Sequence, residues 1–106
     1  MKTNITIIAA TVLLSACSTL KLTAGGEKVR VLDPSEVESC RELGKTNNSV
    51  TAKVILERPE DAVAKELRIM ARNSADRMGG DTIVPLTVIE SGQQTFVVYK
   101  CVNPDG

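Results

Sequence analysis

The segment over residues 59–78 constrains this chain more than any other, because it carries a start signal, a stop signal and one unbroken apolar stripe. Pro59 suits the first helical position, where its missing N–H costs nothing, and Glu60 and Asp61 complement the positive end of the helix dipole. Val63, Leu67, Met70, Ala71, Ser74 and Met78 recur at helical spacing along one face. Gly79-Gly80 closes the segment, with Gly79 suited to the left-handed position that ends a helix. A lone amphipathic helix must bury its stripe against other elements, and the rest of the sequence offers strands.

Residues 28–32 (KVRVL) alternate charged and aliphatic side chains as a half-buried strand does, and Asp33-Pro34-Ser35 then turns the chain. Residues 40–46 read as a second strand, followed by a tight turn at Asn47-Asn48. In residues 50–56, Val50, Ala52, Val54 and Leu56 share one face of a third strand. A backward extension of the helix competes there, but it would place Pro59 in the helix interior. Residues 82–89 and 95–102 form a hairpin around Ser91-Gly92. Pro85 cannot donate to a ladder, so its strand lies at an edge or carries a bulge. The expected fold class is α+β: one amphipathic helix packed on a small, mostly antiparallel sheet, in a single domain over residues 28–106. Phe96 and Tyr99 are the only aromatic residues, so the core is aliphatic and thin and gains from a covalent staple.

The other end of the chain differs in kind. Lys2 gives a short positive start, and residues 5–14 are almost wholly aliphatic or small. Ten residues of helix reach only about 15 Å, half of a ~30 Å hydrocarbon layer, which fits a secretory signal rather than a membrane span. Leu14-Ser15-Ala16-Cys17 then resembles the bacterial lipobox, in which the Cys thiol is diacylated and the chain is cut before it. The rival reading is an ordinary signal cut nearby, with Cys17 an incidental thiol. The lipobox reading makes residues 1–16 a removed signal, Cys17 the carrier of a diacylglycerol and an N-acyl chain, and residues 17–27 a flexible tether. Several acyl chains hold a protein on a membrane where one binds only marginally. Ser18 stands where an inner-membrane retention signal would place Asp, which favours the outer membrane, periplasmic face.

The chain has three cysteines, and lipidation consumes one. Cys40 and Cys101 remain, and two thiols in a small domain of an oxidising compartment pair as a disulfide; two buried free thiols are the alternative.

Charge and residue types narrow the functional classes. The whole chain has 13 basic and 13 acidic side chains. Loss of the signal removes only Lys2, so the near-neutral mature domain carries no electrostatic footprint for nucleic acid. Arg68, Arg72 and Arg77 read as a solvated helix face, and Lys100 as a solvent-facing strand residue. There is no histidine, which removes the usual general base, the Ser-His and Cys-His pairs and most zinc sites. Ser18-x-x-Lys21 has the spacing of a nucleophile pair but lies in the tether, where no rigid pocket can form. Glu57, Glu60 and Asp61 suggest a hard-cation site, yet first-turn acids also simply complement a helix dipole. Met70 and Met78 suggest a soft-metal site, yet lie on the core stripe. These observations favour a non-enzymatic protein with neither resident metal nor catalytic residues, which binds another envelope protein. A small-ligand or metal-binding module using the cluster around Glu57 is the alternative.

Four segments carry a wider resemblance: Val29-Arg30-Val31, Cys40-x-x-Leu43-Gly44, Arg72-Asn73-x-Ala75-x-x-Met78-Gly79-Gly80-Asp81-x-Ile83 and Tyr99-Lys100-Cys101. They resemble an uncharacterised family of small Gram-negative envelope lipoproteins, known mainly as a domain of unknown function and distantly similar to the Rcs stress-sensing outer-membrane lipoprotein. The resemblance implies a Cys40–Cys101 pairing and a helix lying on a small sheet, and lends no activity. The stress sensor is richer in cysteine, with a second disulfide that this chain cannot make.

Overall fold

A computed structural model describes residues 20–51 and 59–105 of the chain. The signal segment, Cys17, Ser18, Glu57 and residues 52–56 of the third expected strand lie outside the described residues. Four strands and one helix follow in order: β1 Arg30–Val31, β2 Arg41–Ser49, α1 Glu60–Arg77, β3 Thr82–Pro85 and β4 Gln93–Lys100. Single 3-10 turns stand at Gly26–Lys28 and Pro34–Glu36.

The helix forms within a residue of its expected bounds, with Pro59 as the extended cap rather than the first helical residue. At the other end Gly79 has φ 84°, and two bonds, Gly80 N to Ala75 O (2.8 Å) and Gly79 N to Asp76 O (3.0 Å), close a Schellman motif. Val63, Leu67, Ala71 and Ala75 form the buried row. Met70 and Ser74 are half-buried beside it. Met78 is the exception: it is exposed, its methyl overhanging β2 at Gly44 on the sheet edge.

The strand order is β1-β3-β4-β2. Hairpin β3–β4 and pair β2–β4 are antiparallel, whereas β1 runs parallel to β3, so the sheet is mixed. Phe96 and Val98 of β4, Ile83 of β3, Ala71 and Ala75 of α1, and Val29 form the core cluster, with Leu43 packed against it. Leu43 lies at a register slip between Glu42 and Gly44, where β2 bulges. Because β1 and β2 are opposite edges, residues 32–40 must cross the sheet, and this crossover carries buried Val37.

Three expectations need correction, and a fourth is met by one of its alternatives. Asn47-Asn48 is no turn: β2 runs on through Ser49, Asn47 donates across the ladder to Thr95, and Asn48 is buried against Thr46. Val50 has left the ladder but still donates to Gly92 O at 2.9 Å. Pro85 lies in an interior strand, yet it needs no partner because β1 stops opposite Ile83. Directly after it, the amides of Leu86 and Thr87 both point at Thr95 O (2.9 and 3.4 Å), a bulge pattern and so the second of the two alternatives expected for this strand. Finally, residues 21–27 are not free tether but lie against α1, held by Asn73 and Arg72.

Candidate functional site

Three places concentrate polar or exposed apolar chemistry, and two of them serve the fold. The first is the corner where α1, β3 and the end of β4 meet. Asp81 follows the Gly79-Gly80 cap and places its carboxylate beneath the chain leaving β4. Oδ1 accepts the amide of Cys101 (2.8 Å) and the hydroxyl of Thr82 (3.0 Å), and Oδ2 accepts the amide of Val102 (2.9 Å). Burial works to raise the pKa of this carboxyl. The two amides, the hydroxyl and the nearby charge of Lys100 outweigh burial and hold it below its ordinary value. The main chain of Asp81 also joins β1 and β4, through Arg30 N to Asp81 O (3.0 Å) and Asp81 N to Tyr99 O (3.0 Å). Cys101 is disulfide-bonded to Cys40, S–S 2.05 Å, so the expected pair is present. Arg41 donates to Pro104 O at 2.6 Å and Lys100 to Val102 O at 2.8 Å, folding the last residues over the corner. Every donor and acceptor named here has an internal partner, so the corner reads as a clasp.

The second place is the outer side of α1. Asn73 lies two residues from both Ala71 and Ala75, roughly 200° around the helix from the buried row. It is nonetheless only 8 % exposed. Its Oδ1 accepts Thr23 N (2.9 Å) and the Thr23 hydroxyl (3.2 Å), and its Nδ2 donates to Lys21 O (3.0 Å). Arg72, expected on a solvated face, is half-buried and donates to Glu27 O at 3.0 Å. Arg68 and Arg77 are exposed, as expected. Gly25 and Gly26 let the segment lie flat, since a Cβ on either would strike Asp76 or Asn73.

The third place is the tip of the β3–β4 hairpin, and it faces solvent. Ser91 (φ 50°) and Gly92 (φ 71°) make the two-residue turn, and Glu90 and Gln93 exchange backbone bonds of 3.0 and 2.9 Å. Besides its amide bond to Thr95 O, Thr87 is tied down by its hydroxyl, which accepts Thr95 N (3.0 Å), and by its carbonyl, which accepts Gln94 Nε2 (2.9 Å). On this braced backbone Leu86, Val88 and Ile89 are 52, 74 and 38 % exposed. A shallow depression of about 350 Å³ beside them is lined by polar groups, among them Asn47, Gln93, Gln94 and Thr95.

The other expected sites fare differently. Glu60 and Asp61 are exposed at the start of α1, and Glu57 lies outside the described residues. Among the described residues, no group of three or more His, Cys, Asp or Glu side chains is placed to hold a metal ion. Ser18, the other half of the pair with Lys21, is likewise outside them. Among the described residues, no helix is long and apolar enough to cross a membrane. Sequence reasoning missed the roles of Asn73 and Asp81. Both stand in the longest matched segment, but nothing in local spacing says that Asn73 faces away from the core stripe and is covered.

Residues 20–101 match the family described as Domain of unknown function (DUF4156), and the chain belongs to that family. The match begins at Leu20, in agreement with a domain that includes the docked segment. No curated protein and no solved structure matches the chain.

Proposed function

We propose that the protein is a lipoprotein anchored through Cys17 to the periplasmic face of the bacterial outer membrane, and that it acts by binding another envelope protein. The observation that supports binding is the hairpin tip. Three aliphatic side chains, Leu86, Val88 and Ile89, are displayed on a backbone braced by the Ser91-Gly92 turn and Thr87. Exposed apolar clusters on small domains mark interaction sites, and a braced loop loses little entropy when it docks. The anchor rests on the charged start, the short apolar run and Leu14-Ser15-Ala16-Cys17. The resemblance of the four sequence segments to the family of the Rcs stress-sensing lipoprotein is what supports envelope stress as the process served. Enzymatic chemistry is not part of this reading, because the clasp at Asp81 is occupied by internal bonds and the chain has no histidine.

Photo-crosslinking residues placed at Leu86, Val88 and Ile89 in living cells test the reading. A discrete protein adduct from the tip, absent when the probe sits at Lys65 or Lys45, supports it. Equal, diffuse products from all positions count against it. Intact mass of the purified protein tests the anchor separately, by the presence or absence of acyl chains on Cys17.

A further inference from the structure

The docked segment restricts how an anchored domain can stand on its membrane. From Lys21 onward the chain has no slack. Asn73 holds Lys21 and Thr23, the Thr23 hydroxyl accepts Gly26 N (2.9 Å), Thr23 O accepts Glu27 N (2.9 Å), and Arg72 holds Glu27 O. Four residue steps separate Cys17 from Lys21, and fully extended they reach about 14 Å. That is about half the thickness of a hydrocarbon layer and only a little more than the width of a helix. The chain joins the domain on the outer side of α1, at Arg72, Asn73 and Asp76, with the buried row Val63, Leu67, Ala71 and Ala75 on the opposite side, toward the sheet. Leu20, 41 % exposed, and Lys21 lie at that entry point. An exposed leucine beside a lysine suits the boundary between acyl chains and headgroups.

From this geometry, and resting on the anchoring at Cys17 proposed above, we infer that the docked segment from Lys21 to Lys28, with the uncovered part of the outer face of α1 beside it, is a membrane-contact surface, which holds the domain flush against phospholipid headgroups with the sheet turned away. The occupant of this face is the bilayer that carries the anchor, because a link this short cannot lift α1 clear of it. The hairpin tip then lies to the side. β3 runs back from the Gly79-Gly80 corner, so the tip sits at the end of the sheet away from the disulfide, open to a partner within the same membrane plane.

The test uses the full-length lipoprotein in vesicles of phosphatidylethanolamine and phosphatidylglycerol that carry a headgroup-linked quencher. A fluorescent residue is placed either at Arg77, on the outer face of α1, or at Lys45, on the sheet. Quenching several-fold stronger at Arg77 is expected, as is loss of that difference when a Gly-Ser repeat is inserted between Thr19 and Leu20. The insertion lies outside the described domain, so it does not test folding. Equal quenching at the two positions in acylated protein overturns the orientation and leaves the anchor intact. A difference that survives the insertion also overturns it, since the short link would not be the cause. Protein without acyl chains on Cys17 removes the anchor and this inference with it.

Discussion

The carboxylate of Asp81 accepts the amide of Cys101 at 2.8 Å, so the cysteine that staples β4 to β2 is also held by the residue that follows the helix cap. The clasp is pH-dependent. Because these bonds depress the folded-state pKa, the stability they contribute is fully present above the ordinary carboxylate range. It is lost as pH falls through the lower folded-state value. Asp81 is partly solvated, and screening by water keeps the contribution modest. Thermal melts from about pH 7 down to about pH 2 should show a steeper acid loss for the native chain than for Asp81→Asn, whose stability is lower at neutral pH. Parallel acid arms for the two proteins would show that the clasp carries no charge-dependent stability.

Reducing the disulfide should cost about 4 kcal/mol in the chain-entropy account, because Cys40 and Cys101 are 61 residues apart. Asp81 and the disulfide fix the same end of β4, so their losses should not add. In a double-mutant cycle, Cys40→Ser with Cys101→Ser should lower the further cost of Asp81→Asn by at least about 0.5 kcal/mol. Strict additivity in urea melts would place the two on independent elements.

The adjacent glycines fail for different reasons. Gly79→Ala meets no atom within 4 Å but must hold φ 84°, a cost of about 1–2 kcal/mol. Gly80→Ala drives a methyl to 2.5 Å from Val98 Cγ1 and 3.0 Å from Tyr99 O, inside the core. Gly80→Ala should therefore be the more damaging in thermal melts, and Val98→Ala should partly rescue it without rescuing Gly79→Ala.

At the hairpin tip the expected effect is on association and not on folding. Val88→Glu alters a side chain that is 74 % exposed, so stability should change by no more than about 0.5 kcal/mol. The same substitution should abolish the tip-specific crosslink. A large drop in melting temperature would mean that Val88 is covered in the folded protein.

What the sequence made legible follows from which signals are local. The helix could be placed because Pro59, the four-residue apolar row and Gly79-Gly80 all act within the segment they define. The hairpin could be placed because Ser91-Gly92 sets its own turn. The parallel β1–β3 pairing was not legible, since two residues of strand leave too little pattern to declare a direction. Asn47-Asn48 misled for a related reason. Turn-forming residues also fit a strand when a cross-strand hydroxyl, here Thr95, and a neighbouring Thr46 satisfy their amides. Asn73 was opaque because its burial comes from a segment 50 residues earlier that sequence composition marks as tether.

That last residue yields the sharpest stability test. Asn73 satisfies two donors of Thr23 and the carbonyl of Lys21 from a position that no core packing requires. Asn73→Ala should leave the sheet and the buried row of α1 intact and release residues 21–28 locally. The readout is hydrogen exchange at Gly26 and Glu27, whose amides bond to Thr23 within the docked segment. Loss of about 1.4 kcal/mol of local stability would speed their exchange roughly tenfold, while amides of β4 keep their protection. Gly26→Ala should give the same pattern by a different route, since its methyl would collide with the Asn73 side chain. If either substitution instead lowered protection uniformly, the segment would belong to the global folding unit, and the dock would be part of the core rather than a strap laid over it.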